Sequence, residues 1–361
     1  MSRTISLLVV SLVLCRFIGT ACAANPEITD PAEAMKDPDF KIQGEYQGEG
    51  TWLDGSQTKA GAQVIALGDG QFTVVVTKGG LPGDGWKRGE PRFSLEGKRQ
   101  NGTTKLSGKD LVGKIREAEV TIFNGQSPAK IMIKIMTIAG NDGKGKLELK
   151  RTVRHSPTEG VKAPEGAVVL FDGASAENFQ HGTLTKDKNL LSDATTKQGF
   201  GDYTLHLEFR LSYMPQARGQ ARSNSGVYLH DCYEIQVLDS FGLEGEDNEC
   251  GGFYRLRKPD VNMCFPPLTW QTYDVKFTAP KYKDGKKVAI AWVEVRHNGV
   301  VIHPEFELAR ATPGRLDEGP APRPFYLQGH GNKVEYRNIW VKEKLDAQRN
   351  GVTVPTRDDT L

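Results

Sequence analysis

The sequence has 361 residues, which is long enough for two ordinary domains with a hydrophobic core each. Its formal charge of +2 gives no electrostatic reason to expect binding to nucleic acid or to an anionic membrane. Its five cysteines show no C-x-x-C spacing, which argues against a zinc site built from them.

The N-terminus has the features of a secretory signal. Arg3 precedes an apolar run over residues 5–15, and small residues in an A-x-A pattern end at residue 23. The run is about half as long as the ~20 residues that a membrane-spanning helix needs. We therefore predict a signal peptide over residues 1–23, export, and no transmembrane segment. The alternative is a lipid anchor at Cys22, which Gly19 in the third position before it disfavours.

Residues 36–154 are predicted to form an antiparallel β barrel or sandwich. The strongest signal is the pair Asp69-Gly70 between two valine-rich runs, 63–67 and 71–77, which is typical of a tight β-hairpin. Similar β-like runs follow, and no amphipathic helix of three turns interrupts them. This part contains no histidine, so binding or covering the neighbouring domain is the role that we expect for it.

A second domain is predicted after a linker. Residues 155–164 are polar and contain two prolines, which indicates a linker. From residue 165 to residue 344, short strands and turns alternate about every ten residues, as in a two-sheet sandwich or jelly roll. Residues 345–361 are interpreted as a C-terminal tail.

The run 203–211 alternates apolar and polar side chains, so one face packs and the other meets water or ligand. Glu208 and Arg210 belong to the polar face. The same pattern is typical of a plain solvent-facing side with an Arg–Glu pair.

Residues 223–240 predict a second hairpin. In its second strand, Glu234 and Gln236 share one face, and the apolar residues between them share the other. Asp239 follows where this strand ends. On a concave sheet, a carboxylate and an amide in this arrangement could bind hydroxyl groups.

Three cysteines remain once the signal is removed, and an exported chain is then expected to hold one disulfide and one free thiol. We predict the pair Cys250–Cys264 rather than a pair with Cys232, because the short loop between them is rich in glycine.

His330 lies between Gly329 and Gly331, at the junction of two strand-like runs. The flanking glycines are expected to leave the imidazole exposed at a sheet end and to let a ligand approach the backbone. A lone loop histidine is also commonly structural.

Several stretches of the second half keep the motif order of a known family. They are 169–173 (Val-Leu-Phe-Asp-Gly), 203–210, 223–228, 233–240, 249–252 (Glu-Cys-Gly-Gly), 262–264 (Asn-Met-Cys), 270–274 (Trp-Gln-Thr-Tyr-Asp), 297–300 (His-Asn-Gly-Val) and 329–340. Together they resemble the 3-keto-disaccharide hydrolase family of secreted bacterial proteins. The resemblance covers residues 165–344 and implies a concanavalin-like jelly roll.

The family acts on sugars whose C3 hydroxyl has been oxidised to a ketone. Hydrolase and lyase or hydratase activities are associated with it, often with a divalent metal ion. The family commonly has Asp before the loop histidine, where this chain has Gly329, so any role of that Asp is absent here.

A 3-ketone acidifies the proton at C2, so an enolate can expel the C1 oxygen and water can then add to the enone. We predict Glu234 or His330 as the base and Glu208 as a second carboxylate, all three converging in one hollow. The residues predicted to bind hydroxyls or a metal, or to wall the pocket, are Arg210, Asn224, Tyr228, Gln236, Asp239 and Trp270.

Two other functions fit the same fold. One is a lectin-like carbohydrate-binding module that uses the same face without turnover. The other is a conventional glucanase, which is disfavoured because no E-x-D-x-x-E arrangement occurs.

Overall fold

The structure, a computed structural model, describes residues 26–124 and 127–344. The predicted signal peptide, residues 1–23, and the predicted C-terminal tail, residues 345–361, lie outside these ranges. The α-helices are α1 (Pro31–Ala34) and α2 (Pro38–Ile42), and each begins with proline after an aspartate whose carboxylate accepts a backbone N–H. No helix in the described ranges is long and apolar enough to cross a membrane.

The first half of the chain is a closed antiparallel barrel. Its strands are β1 (Gly44–Thr51), β2 (Gln57–Gly68), β3 (Gln71–Lys78), β4 (Leu81–Pro82), β5 (Gly85–Trp86), β6 (Arg92–Gln100), β7 (Thr103–Ser107), β8 (Leu111–Asn124), β9 (Ser127–Gly140) and β10 (Lys146–Thr152). The ring closes in the order β1, β10, β9, β8, β7, β6, β3, β2, while β4 and β5 pair only with each other. The predicted barrel is confirmed.

The β2–β3 hairpin forms where the Asp-Gly pair predicted it. Asp69 has φ 54° and Gly70 has φ 72°, the left-handed conformations that a tight hairpin turn of this type requires. Inside the barrel, Tyr46, Val64 and Met136 are fully buried, so the interior is a packed core.

The second half is a sandwich of two antiparallel sheets. Its strands are β11 (Val168–Phe171), β12 (Phe179–Gln180), β13 (Leu190–Leu191), β14 (Ala194–Thr196), β15 (Tyr203–Arg210), β16 (Asn224–Leu229), β17 (Tyr233–Leu238), β18 (Trp270–Thr278), β19 (Lys281–Lys283), β20 (Lys286–Ala289), β21 (Ala291–His297), β22 (Val300–Leu308), β23 (Tyr326–Leu327) and β24 (Glu335–Glu343). One 3₁₀ turn, Gly219–Ala221, precedes β16.

The two sheets differ in size. The large sheet has the order β11, β24, β15, β18, β21, β22, with β13 also paired to β24. The small sheet has the order β12, β14, β23, β16, β17. The predicted all-β architecture is confirmed, and β16 and β17 are the hairpin expected over residues 223–240.

The core of the sandwich lies between the sheets. Leu205 and Leu207 of β15 and Val227 and Ile235 of the small sheet are at most 1% exposed and belong to one hydrophobic cluster. Because side chains alternate along a strand, the polar residues between them point outward, away from this core. The two sheets therefore carry their polar faces on opposite sides of the sandwich.

The barrel packs directly against the sandwich. Ile65 of the barrel joins the sandwich core cluster. Arg222 donates to the carbonyl of Ala66 at 3.2 Å, and Arg88 donates to the carbonyl of Asp260 at 3.1 Å. The two halves therefore share an interface of apolar packing and arginine–carbonyl bonds.

The predicted disulfide between Cys250 and Cys264 is not formed in the structure. Cys232, Cys250 and Cys264 are buried free thiols. The Cys250 sulfur lies 3.3 Å from the Tyr273 hydroxyl. The loop after Cys250 is also held by its backbone, because Gly251 donates to the Gln236 carbonyl of β17 at 2.9 Å.

Candidate functional site

Glu208 lies on the outer face of the large sheet, away from the other predicted catalytic residues. Its carboxylate is fully buried and accepts hydrogen bonds from Arg337 at 2.6 Å, Asn338 at 2.8 Å and the backbone of Gly160 at 2.6 Å. Burial raises the pKa of Glu208, but these bonds and His206 outweigh it and lower the pKa to about 2. The carboxylate thus holds the linker against the sheet.

The predicted centre of Glu208, Glu234 and His330 is therefore not formed. Alternation correctly placed Glu208 on the polar side of its strand. That side belongs to β15 of the large sheet, whereas Glu234 lies on β17 of the small sheet, so the sandwich core separates them.

Two predicted binding residues, Arg210 and Trp270, lie on the same outer face of the large sheet as Glu208. Arg210 donates to Glu335 at 2.8 Å, and its guanidinium lies 5.0 Å from the centre of the Trp270 ring. Arg337 lies against the same ring at 4.0 Å. Arg210 and Trp270 are thus part of the outer face of the large sheet and do not line a site with Glu234.

Asp239 is a structural residue in this fold. Its carboxylate, in a residue that is 3% exposed, accepts from the Arg222 Nε at 2.6 Å. Arg222 also binds the barrel, so this ion pair fixes the domain interface. The predicted role of Asp239 in binding hydroxyls or a metal is not supported by this geometry.

One row of side chains crosses the outer face of the small sheet. The cross-strand pairs run from Gln180 on β12 to Thr195 on β14 and then to Tyr326 on β23. They continue to Tyr228 on β16 and end at Glu234 on β17. Directly paired residues of neighbouring strands project from the same face. We call these five side chains the transverse row.

Glu234 is a desolvated carboxylate at one end of this row. It is 2% exposed, and its Oε2 accepts a hydrogen bond from the Tyr228 hydroxyl at 2.9 Å. Burial raises the pKa of Glu234 to about 7, although the Tyr228 bond acts in the opposite direction. A Cβ atom at Gly226 would lie 2.3 Å from the Glu234 Oε1. Any larger residue at position 226 would therefore collide with the carboxylate.

Amide side chains lie on the same face of the sheet as the carboxylate. Gln236 donates to the side chain of Gln220 at 3.1 Å, and Asn224 donates to the Gln220 carbonyl at 2.9 Å. The side-chain oxygens of Asn224 and Gln328 are buried without a hydrogen-bond partner among the described residues. Buried acceptors of this kind are costly unless a donor meets them, and sugar hydroxyls are such donors.

A loop segment, residues 312–315, covers the carboxylate. Thr312 accepts from the Glu234 backbone N–H at 2.8 Å. Gly314 has φ 105°, and a Cβ there would lie 2.7 Å from the Tyr228 hydroxyl oxygen. The covering segment thus approaches Tyr228 as closely as only glycine allows.

Arg315 joins this segment to an open groove. Its guanidinium lies 4.1 Å from the centre of the Tyr326 ring and binds Asp231 at 2.7 Å. The groove has a volume of about 490 Å³ and is lined on its far side by Gln180 and Thr195. It therefore runs along the exposed part of the transverse row.

His330 is exposed in the loop that follows β23. This loop borders the same face, because Gln328 donates from its backbone to Gly226 at 2.8 Å and Asn332 accepts from the Asn224 backbone at 2.9 Å. Within the described ranges the imidazole makes no hydrogen bond to Glu234. The structure thus brings His330 to the edge of the face without joining it to the carboxylate.

The divalent metal implied by the resemblance does not fit the described side chains. No three His, Cys, Asp or Glu residues gather in the part of the chain that the structure describes. The side chains next to Glu234 are amides and a phenol, which leave one carboxylate as the charged donor.

Sequence reasoning missed six residues of this face. They are Gln180, Thr195, Gln220, Arg315, Tyr326 and Gln328. Tyr326 was detectable, since it lies between apolar Phe325 and Leu327 in a strand-like run. Gln220 and Arg315 lie outside regular strands, where no periodic pattern indicates a direction.

Comparison with known proteins places the second half of the chain in context. Residues 166–342 match the model of a family described as "3-keto-alpha-glucoside-1,2-lyase-like domain". No curated protein matches the chain.

Similar solved structures come from Parabacteroides distasonis and are described as candidate glycosyl hydrolases. One, at 2.13 Å resolution, is 28% identical, with a TM-score of 0.46, over 51% of this chain and 86% of that chain. Another, at 1.70 Å resolution, is 20% identical, with a TM-score of 0.37, over 50% of this chain and 94% of that chain.

Proposed function

Because residues 166–342 belong to the 3-keto-alpha-glucoside-1,2-lyase-like family, we propose that the chain is an enzyme that cleaves 3-keto-glycosides, with Glu234 as the base. The observation that carries the proposal is the desolvated Glu234 carboxylate on a face with phenol and amide side chains. A raised pKa caused by burial in such a face is typical of a catalytic group.

The reaction is an elimination followed by hydration. Glu234 takes the C2 proton, and the electron pair of the C2–H bond becomes an enolate with the C3 ketone. The enolate then expels the C1 oxygen, which leaves a C1–C2 double bond conjugated to the ketone. The departing oxygen accepts from Glu234 the proton that came from C2. Water then adds across the double bond to give the free 3-keto sugar.

The pKa of Glu234 suits this task. A value of about 7 leaves a large ionised fraction at neutral pH and makes the carboxylate a stronger base than an exposed one. A positioned base typically contributes about 10² to 10⁴-fold to the rate. Arg315 is the cation that borders the row, and we assign it the stabilisation of the enolate oxygen.

Access to Glu234 requires the covering segment to move. Residues 312–315 lie over Tyr228 and Glu234, so substrate reaches the carboxylate only when this segment is displaced. Such segments exclude water once they close again. Exclusion of water preserves the basicity that burial gives to Glu234.

The competing functions fit this face less well. A conventional glycosidase needs two carboxylates about 5 to 9.5 Å apart on either side of the bond. The nearby carboxylates are engaged, since Asp231 binds Arg315 at 2.7 Å and Asp193 accepts from Tyr326 at 3.1 Å. A lectin gains nothing from a buried carboxylate with a raised pKa, whereas a base does.

The test compares glycosides with and without the ketone. Purified protein is incubated with p-nitrophenyl 3-keto-glucoside and with p-nitrophenyl glucoside, and p-nitrophenol release is followed. We expect release from the keto substrate alone. Glu234→Gln should lower kcat by at least about 100-fold, whereas Glu305→Gln, at an exposed carboxylate of β22, should retain kcat.

Two results would contradict the proposal. Full activity of Glu234→Gln would exclude this residue as the base. Equal cleavage of the unoxidised glucoside would exclude a mechanism that needs the C3 ketone.

We further propose that the protein is exported and that residues 1–23 are removed. The support is the charged and apolar pattern of that segment. Intact mass measurement of the protein from the cell envelope or medium should give a chain that begins at residue 24. A full-length chain there would contradict removal, and a lipid-modified Cys22 would support the anchor instead.

A further inference from the structure

The transverse row is closed at one end and open at the other. Tyr228 and Glu234 are 1% and 2% exposed beneath the covering segment. Tyr326 and Thr195 are half-buried, and Gln180 is exposed. A ligand that reaches Glu234 can therefore extend in one direction, toward Gln180.

A backbone segment continues the small sheet beyond Glu234. Beyond β17, Tyr254 donates from its backbone to the Glu234 carbonyl at 3.2 Å, and Gln236 donates to the Gly252 carbonyl at 2.8 Å. This chain segment lies along the outer edge of β17. The sheet therefore continues past Glu234, and the open groove lies on the other side of Glu234, toward Gln180.

The open part of the row is longer than one sugar. The open part, from Tyr326 through Thr195 to Gln180, crosses three strands about 4.8 Å apart and so spans roughly 10 Å, and a pyranose unit of a linear chain advances by about one strand spacing. The groove over this part has a volume of about 490 Å³. Sites of ~300 to 1,000 Å³ enclose ligands of more than one ring.

The lining of the groove fits a hydrophilic occupant. Gln180 and Thr195 offer amide and hydroxyl groups, and the carboxylates of Asp193 and Asp231 accept hydrogen bonds. The Arg315 guanidinium over the Tyr326 ring gives a flat, partly polar surface. Groups of this kind match the hydroxyl-rich edges of sugar units better than an apolar aglycone.

We propose that the 3-keto unit binds at Glu234 only as the terminal unit of a saccharide, and that the leaving group is an oligosaccharide of at least two units along the groove. This rests on the proposed function, because Glu234 defines the unit that is cleaved. The enzyme would then remove oxidised units one at a time from a chain end.

The first test varies the leaving group. kcat/KM is measured for methyl 3-keto-glucoside, for a disaccharide and for a trisaccharide that each carry the 3-keto unit at the non-reducing end. One additional hydrogen-bonded subsite is worth about tenfold, so we expect kcat/KM to rise by at least about tenfold from the methyl glycoside to the trisaccharide. Equal values would overturn the proposal and leave the proposed function intact.

Variants locate the outer units. Gln180→Ala should lower kcat/KM for the trisaccharide by about fivefold or more, and by a smaller factor for the methyl glycoside. The matched control is Gln198→Ala, an exposed glutamine in the loop after β14, which should change neither value. An equal effect of both variants would overturn the placement of the leaving group in the groove.

The second test moves the keto unit away from the chain end. A trisaccharide whose middle unit carries the ketone should not be cleaved, because the groove extends from the Glu234 end toward Gln180 and gives a second neighbouring unit no place on the other side. Cleavage of this substrate would overturn the terminal position. If none of the keto substrates is cleaved, the proposed function itself fails, and this inference fails with it.

Discussion

Replacing Glu234 by glutamine is expected to stabilise the fold above neutral pH while it removes the proposed base. Glu234 is 2% exposed, and burial raises its pKa from 4.5 to about 7. Between these two pH values the folded state holds a proton that the unfolded chain has released. Its contribution to stability is therefore complete below the lower value and is lost as pH rises through the upper one.

The magnitude follows from the pKa. A tenfold change in proton affinity is worth about 1.4 kcal/mol, so the complete loss is about 3 kcal/mol, of which about 2.5 kcal/mol falls between pH 5 and pH 8. Glutamine does not ionise, and its side-chain oxygen still accepts from Tyr228. The free energy of unfolding of the variant therefore does not contain the decrease with rising pH that Glu234 causes in wild type.

The measurement is urea unfolding of wild type and Glu234→Gln at pH 5, 6, 7 and 8. When the unfolding free energy of wild type is subtracted from that of the variant, the contributions of the other titrating groups cancel. It should move in favour of the variant by about 2.5 kcal/mol from pH 5 to pH 8. Glu305→Gln is the matched control and should show no such trend. A difference that stays flat, or that favours wild type at high pH, would refute the description of Glu234 as a desolvated carboxylate.

Three further predictions concern the same two faces. Tyr228→Phe removes the hydrogen bond that lowers the pKa of Glu234, so the rise of kcat/KM with pH should move to higher pH; an unmoved profile would contradict this. Glu208→Gln should lower the free energy of unfolding by about 1 to 3 kcal/mol, because the charged acceptor of Arg337, Asn338 and Gly160 becomes a neutral amide while Arg337 keeps Glu159 at 2.8 Å, and it should retain kcat; loss of kcat without loss of stability would contradict a purely structural role for Glu208. Gly226→Ala would place a Cβ 2.3 Å from the Glu234 Oε1, and this displacement of the carboxylate should lower kcat by about 10-fold or more, with circular dichroism confirming that the variant is folded.

The sequence could predict strands and faces where the pattern is periodic. The Asp69-Gly70 turn and the 223–240 hairpin both formed as predicted, because turn chemistry and alternation are local properties. For the same reason Glu234 and Gln236 were correctly placed on one outer face. These two residues remain at the centre of the candidate site.

What the sequence could not predict is which strands share a sheet. The alternation of 203–211 is as clear as that of β17, and Glu208 is on its polar side. β15 pairs with β18 and β24, however, and not with the β16–β17 hairpin. These pairings depend on distant parts of the chain, so Glu208, Arg210 and Trp270 were assigned to the wrong side of the sandwich.

Glu208 and Glu234 show how the structure separates a structural carboxylate from the proposed base. Both are at most 2% exposed, so burial disfavours the charge in both. Around Glu208, guanidinium, amide and backbone donors outweigh burial and bring the pKa to about 2, whereas Glu234 has one phenol donor and a pKa of about 7. Glu208, which holds the linker, therefore has a full set of hydrogen-bond donors, whereas Glu234 has only one. A buried carboxylate with too few hydrogen-bond donors lowers stability. A substrate hydroxyl, or the proton that the carboxylate takes from the substrate, would supply what Glu234 lacks.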